Sequence, residues 1–412
     1  MKTSRPLRRG ATALAALALV VAGCGSDGDT TTTAAAAAAA ATTVAEATTT
    51  TAAATTTVAA TVDASTTTAA APAGGRVMND AIGEVEVPAE AERIATTAPA
   101  FTTSVLLLGG ADKLVALEEN YGKNEWIKQK YPALAGLPVV FAANQTDVEQ
   151  LLDQKPDLVL YAARYGEGTL RQLQDLGIAA ISGEKDSDLP GYDHLNWVRD
   201  NQLYFGKAIG GVQLEKATTY AAEFTDIRAR IEERTKGLTD DQRPTVVQLS
   251  AAGKVLQAND GSAIGQELIT MAGGINAAAS ATGESMGPSG QTQIDPEQLL
   301  SWNPEILLVD SPAIRDAIAS DPVLASLKAV EGNRVYVIPN GAMAWAYNGP
   351  EEYLAMQFFA KAIHPELFAD LDLEKATTTF YDGYFGFEIT DADLAHLFDL
   401  ADGQRVADVF VR

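Results

Sequence analysis

Cysteine is almost absent from this chain: Cys24 is the only one in 412 residues. No internal disulfide can form and no thiolate metal site can be built. Histidine is nearly as scarce, with His194, His364 and His396 scattered along the sequence, so a bare zinc or manganese ion has no imidazole set to hold it. Catalytic signatures are also missing. There is no G-x-S-x-G elbow, no H-E-x-x-H, no P-loop and no G-x-G-x-x-G after a strand, and the nearest approaches, Gly287-Pro288-Ser289-Gly290 and Gly166-Glu167-Gly168, have the wrong spacing. Neither a catalytic residue nor a cofactor is expected. Positive charge is short too: 30 Lys and Arg face 54 Asp and Glu, a formal net charge of −24, which argues against nucleic acid and against an anionic membrane surface as partners.

Ala11–Ala22 is apolar but too short to span a bilayer as a helix. With Lys2, Arg5, Arg8 and Arg9 before it and Val21-Ala22-Gly23-Cys24 after it, the segment reads as an export signal. Small residues directly before a cysteine resemble the lipobox of bacterial lipoproteins, which implies that residues 1–24 are a lipoprotein signal peptide and that Cys24 carries a lipid anchor in the membrane. Residues 25–75 are nearly all Thr and Ala. Such a segment buries too little apolar surface to offset the entropy of ordering it, and it is expected to be a disordered tether with a span of about 40 Å.

The rest of the chain is organised around a repeated phrase. Asp147–Leu160, DVEQLLDQKPDLVL, returns as Asp295–Leu308, DPEQLLSWNPEILL. In both copies Asp stands where a helix N-cap would, Glu149 or Glu297 lies in the first turn where the helix dipole favours an anion, and the helix stops before Pro156 or Pro304. The apolar runs that follow read as buried parallel strands. Two copies imply two similar lobes. Strands are expected at 93–95, 115–117, 138–141, 178–181, 245–249 and 334–338, with helices at 101–108, 170–175, 264–271, 313–319, 351–363, 372–384 and 391–400. Alternation of this kind predicts an α/β fold with parallel sheets. Val212–Lys236 has the longest helical pattern, with Leu214, Ala217, Tyr220, Ala221, Phe224, Ile227 and Ile231 recurring at three and four residues. The expected organisation is an N-terminal lobe at 76–211, a connecting helix at 212–236 and a C-terminal lobe at 237–412.

Loops at the carboxyl ends of parallel strands line ligand crevices. Those loops carry Phe101, Tyr121, Trp126, Tyr161, Arg164 and Tyr165 in the first lobe and Met286, Trp345 and Tyr347 in the second. Flat apolar faces with polar tips suit a bulky, partly apolar ligand, and Arg164 suits an anionic group on it.

The lipobox, the paired VEQLLDQKPDLVL and PEQLLSWNPEILLVD, the long helix and the tail NGPEEYLAMQFFAKAIHPELFADLD followed by FYDGYFGFEITDADL together resemble the substrate-binding lipoproteins of iron-complex ABC importers. The resemblance implies two α/β lobes joined by a rigid helix, with a cleft between them for a ferric siderophore, haem or cobalamin. It also implies that Glu149 and Glu297 engage arginines of the membrane permease, two separated charge pairs fixing an orientation that one would leave free to pivot. The expected protein is a monomeric, lipid-anchored, extracytoplasmic carrier of a metal chelate, ferric siderophore or haem first and a corrinoid as the alternative. An enzyme on the same fold is the contrasting expectation.

Overall fold

The computed structural model describes residues 75–183, 193–252, 255–284 and 290–411. The expected signal peptide with Cys24, the tether and Met286 lie outside these residues. The first described element is a hairpin, β1 (Arg76–Asp80) with β2 (Gly83–Val87). It then leads into a sheet of β3 (Ile94–Thr96), β4 (Leu114–Glu118), β5 (Val139–Ala142), β6 (Gln145–Thr146), β7 (Leu158–Leu160) and β8 (Ala179–Ile181). The order is β6-β5-β4-β3-β7-β8, parallel throughout except for the short edge strand β6. Helices α1 (Pro99–Leu107), α2 (Glu125–Lys130), α3 (Val148–Asp153) and α4 (Glu167–Asp175) connect its strands.

Two helices follow, α5 (His194–Ile209) and α6 (Gly211–Thr235). The sequence pattern predicted only the second. The chain turns between them at Gly210 and Gly211, both at positive φ (85° and 54°), and the pair packs closely because Gly206 lacks a side chain. A Cβ there would lie 2.4 Å from that of Ala217. At about 1.5 Å per residue α6 is nearly 40 Å long, and Ala217, Tyr220, Phe224, Ile227 and Ile231 form its buried stripe as the spacing predicted.

The second sheet comprises β9 (Thr245–Ala252), β10 (Val255–Asn259), β11 (Ile275–Asn276), β12 (Gln291–Ile294), β13 (Ile306–Val309) and β14 (Val335–Val337). Its order is β12-β10-β9-β13-β14, with β11 also beside β9. β11, β9, β13 and β14 are parallel, but β10 and β12 run antiparallel. This lobe is therefore mixed where a parallel sheet was expected. The polar residues Gln257, Asn259, Gln291 and Gln293 hid these two strands, since neither shows an apolar run. Helices α7 (Ile264–Met271), α8 (Pro296–Trp302), α9 (Pro312–Ser320), α10 (Lys328–Glu331), α11 (Glu352–Ile363), α12 (Leu373–Phe380) and α13 (Asp391–Phe398) complete the chain. The helix expected at 372–384 ends at Phe380 and continues as a π-helical turn, Tyr381–Phe385.

The repeated phrase forms as expected. Asp147 Oδ1 accepts from the Gln150 amide at 2.9 Å and Asp295 Oδ1 from that of Gln298 at 2.7 Å. Lys155 and Asn303, each preceding a proline, take left-handed conformations (φ 48° and 42°) that turn the chain into β7 and β13. Side chains then alternate between the two faces of each sheet. In β7 and β13, Leu158, Leu160, Ile306 and Leu308 enter one continuous core with α5, α6 and α11. Val159 with Tyr161 and Leu307 with Val309 face two separate outer clusters. The two lobes thus share one core along the helix layer, and shear between them would break it.

Candidate ligand-binding site

The loop after β4 reaches the loop after β14, where the Asn124 side-chain amide donates to the carbonyls of Gly341 (3.1 Å) and Ala342 (3.2 Å). This contact marks one end of the interlobe edge. At the carboxyl ends of β9 and β13 a cavity of about 790 Å³ opens within the C-terminal lobe, its apolar wall drawn from the outer cluster of that lobe. Leu256, Ile314, Ile318 and Leu324 supply apolar walls, and Ser250, Gln257, Gln291, Asp310 and Tyr347 supply the polar ones.

Asp310 and Tyr347 form the centre of that polar wall. The Tyr347 hydroxyl donates to Asp310 Oδ2 and accepts from Gln291 Nε2 at 3.1 Å. Ser250 donates to Gln257 Oε1 at 3.2 Å. Asp310 Oδ1 is enclosed and has no hydrogen-bond partner. Burial pushes the Asp310 carboxyl up to about 6, with the Tyr347 hydrogen bond pulling the other way, and burial likewise raises the Tyr347 phenol.

The loop that presents Tyr347 is held by two buried glutamates at the start of α11. Glu351 accepts from the amides of Ala342 (2.9 Å) and Met343 (2.6 Å) and from the Tyr381 hydroxyl. Glu352 Oε1 accepts from the Asn348 amide at 2.8 Å, while its Oε2 has no close partner. Desolvation pushes the two carboxyls up to about 7 and about 8. Ala346 and Asn348, on either side of Tyr347, are held at positive φ (67° and 57°), strain that persists only where surrounding contacts impose it.

In the N-terminal lobe the turn after β7 carries Arg164 and Tyr165. The Arg164 guanidinium lies 4.7 Å from the Tyr165 ring centroid and donates to its hydroxyl at 3.0 Å, and the Tyr165 ring packs on Phe141 with centroids 4.4 Å apart. Gly166, at φ 139°, ends the turn. Arg164 is exposed and Tyr165 half-buried, a flat cationic platform at the strand edge.

Of the aromatic residues expected to face a ligand, several are instead enclosed by protein. Trp345 has 0 % exposure and makes edge contacts with Phe358 and Phe398. Phe101 packs edge-on against Phe205, and the Tyr121 hydroxyl is tied to Thr103 at 2.8 Å. Tyr161 shares the outer face with Val159 and joins the cluster around Leu151 and Leu170. Trp126 donates to Asp393 at 2.8 Å and is flanked by Tyr381 and Phe387. The physical reason is common to all five: position after a strand does not distinguish a side chain aimed outward at the edge from one folded back over the core. Arg164, Tyr165 and Tyr347 remain accessible. Ser250, Gln291 and Asp310 were missed, although Asp310 directly follows the second copy of the buried strand, where the crevice rule places functional residues.

Glu149 and Glu297 are both exposed, each in the first turn of its short helix, and neither makes an ion pair among the described residues. His364 caps α11 and is within 3.1 Å of the Gly273 carbonyl through Nε2, as expected of a helix-end histidine. No group of three or more potential metal ligands occurs among the described residues, and no described helix is long and apolar enough to cross a membrane.

Residues 94–342 match the family model described as periplasmic binding protein. The chain belongs to the periplasmic binding protein family. It is 24% identical over 330 residues to the molybdate-binding protein MolA of Haemophilus influenzae, covering 75% of this chain and 91% of that one. It is 26% identical over 256 residues to a cobalamin-binding protein of Halobacterium salinarum, covering 62% and 64%. The crystal structure of a periplasmic solute binding protein from Veillonella parvula superposes with a TM-score of 0.68 at 24% identity, covering 79% of this chain and 97% of that one. As a periplasmic binding protein this chain is a solute carrier and not an enzyme, which answers the contrasting expectation.

Proposed function

We propose that this protein captures a bulky organic metal chelate, a ferric siderophore or haem, outside the cytoplasm and delivers it to an ABC permease. The observation that carries this reading is the cavity of about 790 Å³ with mixed apolar and polar walls. That volume lies in the usual range for organic ligands and far exceeds a tetrahedral oxyanion. Among the described residues its walls include Asp310 and Asp321 but no Lys or Arg, a lining that favours a ligand larger and less negative than a small dianion such as molybdate. Arg164 on its aromatic platform supplies the complementary contact for an anionic edge of the chelate. A corrinoid, the ligand in the name of the Halobacterium relative, is the second reading.

In this proposal Cys24 anchors the protein by a lipid and the Thr/Ala tether holds the lobes off the membrane. Glu149 and Glu297, exposed and without an ion pair among the described residues, dock on basic residues of the permease from equivalent helix starts. The N-terminal lobe, α6 and the C-terminal lobe move little relative to one another because they share one core, so the permease drives release. Deleting the gene in the cell that makes this protein should abolish growth on the chelate as sole iron source while leaving growth on iron salts intact. Unchanged growth on every chelate offered, in a strain without another carrier, would refute the reading.

A further inference from the structure

The C-terminal cavity holds a feature that chelate size alone does not explain. Among the described residues, Asp310 Oδ1 is enclosed and has no partner, and no Lys or Arg lines the cavity. A buried carboxylate oxygen left unpaired is costly, and proteins keep such groups where a partner arrives with a ligand. The other charged or titratable groups facing this space are Tyr347, whose hydroxyl occupies Oδ2, and Asp321. Arg315, on the adjoining helix α9, is turned to Asp316 and Asp399 and does not serve Asp310.

We infer that this cavity is a subsite for a cationic or strongly hydrogen-bond-donating group of the ligand, an ammonium or amide N–H, with Asp310 as its acceptor. Tyr347 holds Oδ2, which leaves Oδ1 to the donor of the ligand. The inference rests on the chelate reading and narrows it. The ligand then carries a donor group for Asp310 and is not uniformly negative.

The elevated Asp310 value, about 6, adds a signature. A cation beside the carboxylate stabilises its ionised form, so binding at pH 6 expels a proton from about half the molecules, and preference for the cation fades as pH falls further. The direct probe is a matched pair, the ferric trihydroxamate ferrioxamine B, which carries a free ammonium, and its N-acetyl derivative, which does not. With the purified full chain at pH 7.5, ferrioxamine B should bind about tenfold or more tightly than the acetylated complex. The ratio should shrink towards one below pH 6 and in Asp310→Asn. Equal affinities at pH 7.5, or a ratio that persists in Asp310→Asn, would overturn the subsite while leaving the chelate reading intact. Failure of both complexes to bind would overturn the subsite as a receptor for an ammonium-bearing hydroxamate, and the chelate reading itself falls only if haem, catecholates and cobalamin also fail to bind.

Discussion

Replacing Glu352 with Gln isolates what the buried loop clamp costs. Glu352 has 0 % exposure, its Oε1 accepts the Asn348 amide, and its Oε2 has no close partner. Its carboxyl is pushed up to about 8 by burial, with the neighbouring Glu351 adding to the rise. The unfolded chain ionises this group near its ordinary value of 4.5. Between pH 5 and 7 the native state therefore holds a proton that the unfolded state has lost, and stability must fall as pH rises. One such group contributes a slope of about 1.4 kcal/mol per pH unit, or roughly 2 to 3 kcal/mol over that interval. This is a sizeable part of a typical total of about 5–15 kcal/mol. Glutamine keeps the acceptor for Asn348, places its amide where Oε2 stands and cannot ionise, so Glu352→Gln should remove that part of the slope. Urea unfolding of the full chain at pH 5, 6 and 7 reads it directly, followed by near-ultraviolet dichroism to report the native packing. Glu351 stays in both proteins, so the difference between the profiles reads Glu352 together with its charge coupling to Glu351. Parallel profiles for the two proteins would show that Glu352 is ionised or solvated in the folded state and would refute the reasoning.

Other consequences are as specific. Trp345→Ala should cost about 3–5 kcal/mol of stability, the range for emptying a buried aromatic site, and chemical unfolding that left its midpoint unchanged would place the indole outside the core. Glu149→Ala with Glu297→Ala should leave ligand affinity intact and abolish uptake; normal transport by the double variant would remove both from the docking surface. Arg164→Ala should weaken an anionic chelate by about tenfold, as expected for loss of a charge-assisted contact, and an unchanged dissociation constant would leave Arg164 a surface residue stacked on Tyr165.

The parts of this molecule that were legible in the sequence are those specified by local chemistry. DVEQLLDQKPDLVL and its second copy each carry an N-cap, a stop and a buried apolar run within a few residues of each other, and both fold accordingly. The Gly-Gly pairs after α1 and α7 end equivalent helices in the two lobes, with Gly109 and Gly273 both at positive φ (76° and 84°). Strands β10 and β12 were not, because Gln257, Asn259, Gln291 and Gln293 carry little apolar signal and are fixed by pairing with β9 and with each other. Helix α5 was missed although Asp193 caps it in the ordinary way, accepting from the Asn196 amide at 2.8 Å. At the site, aromatic residues were the visible signal, and most of them proved to be core. The decisive group was Asp310, whose significance comes from burial and from a missing partner, neither of which one sequence can display.

The most direct test of the central claim is calorimetric titration of the purified full chain at pH 7.5 against ferric hydroxamates, ferric catecholates, haem, cobalamin and molybdate. A bulky chelate should give one saturable site of micromolar affinity or tighter, and molybdate should give none. Saturable binding of molybdate with no response to any chelate would contradict the account.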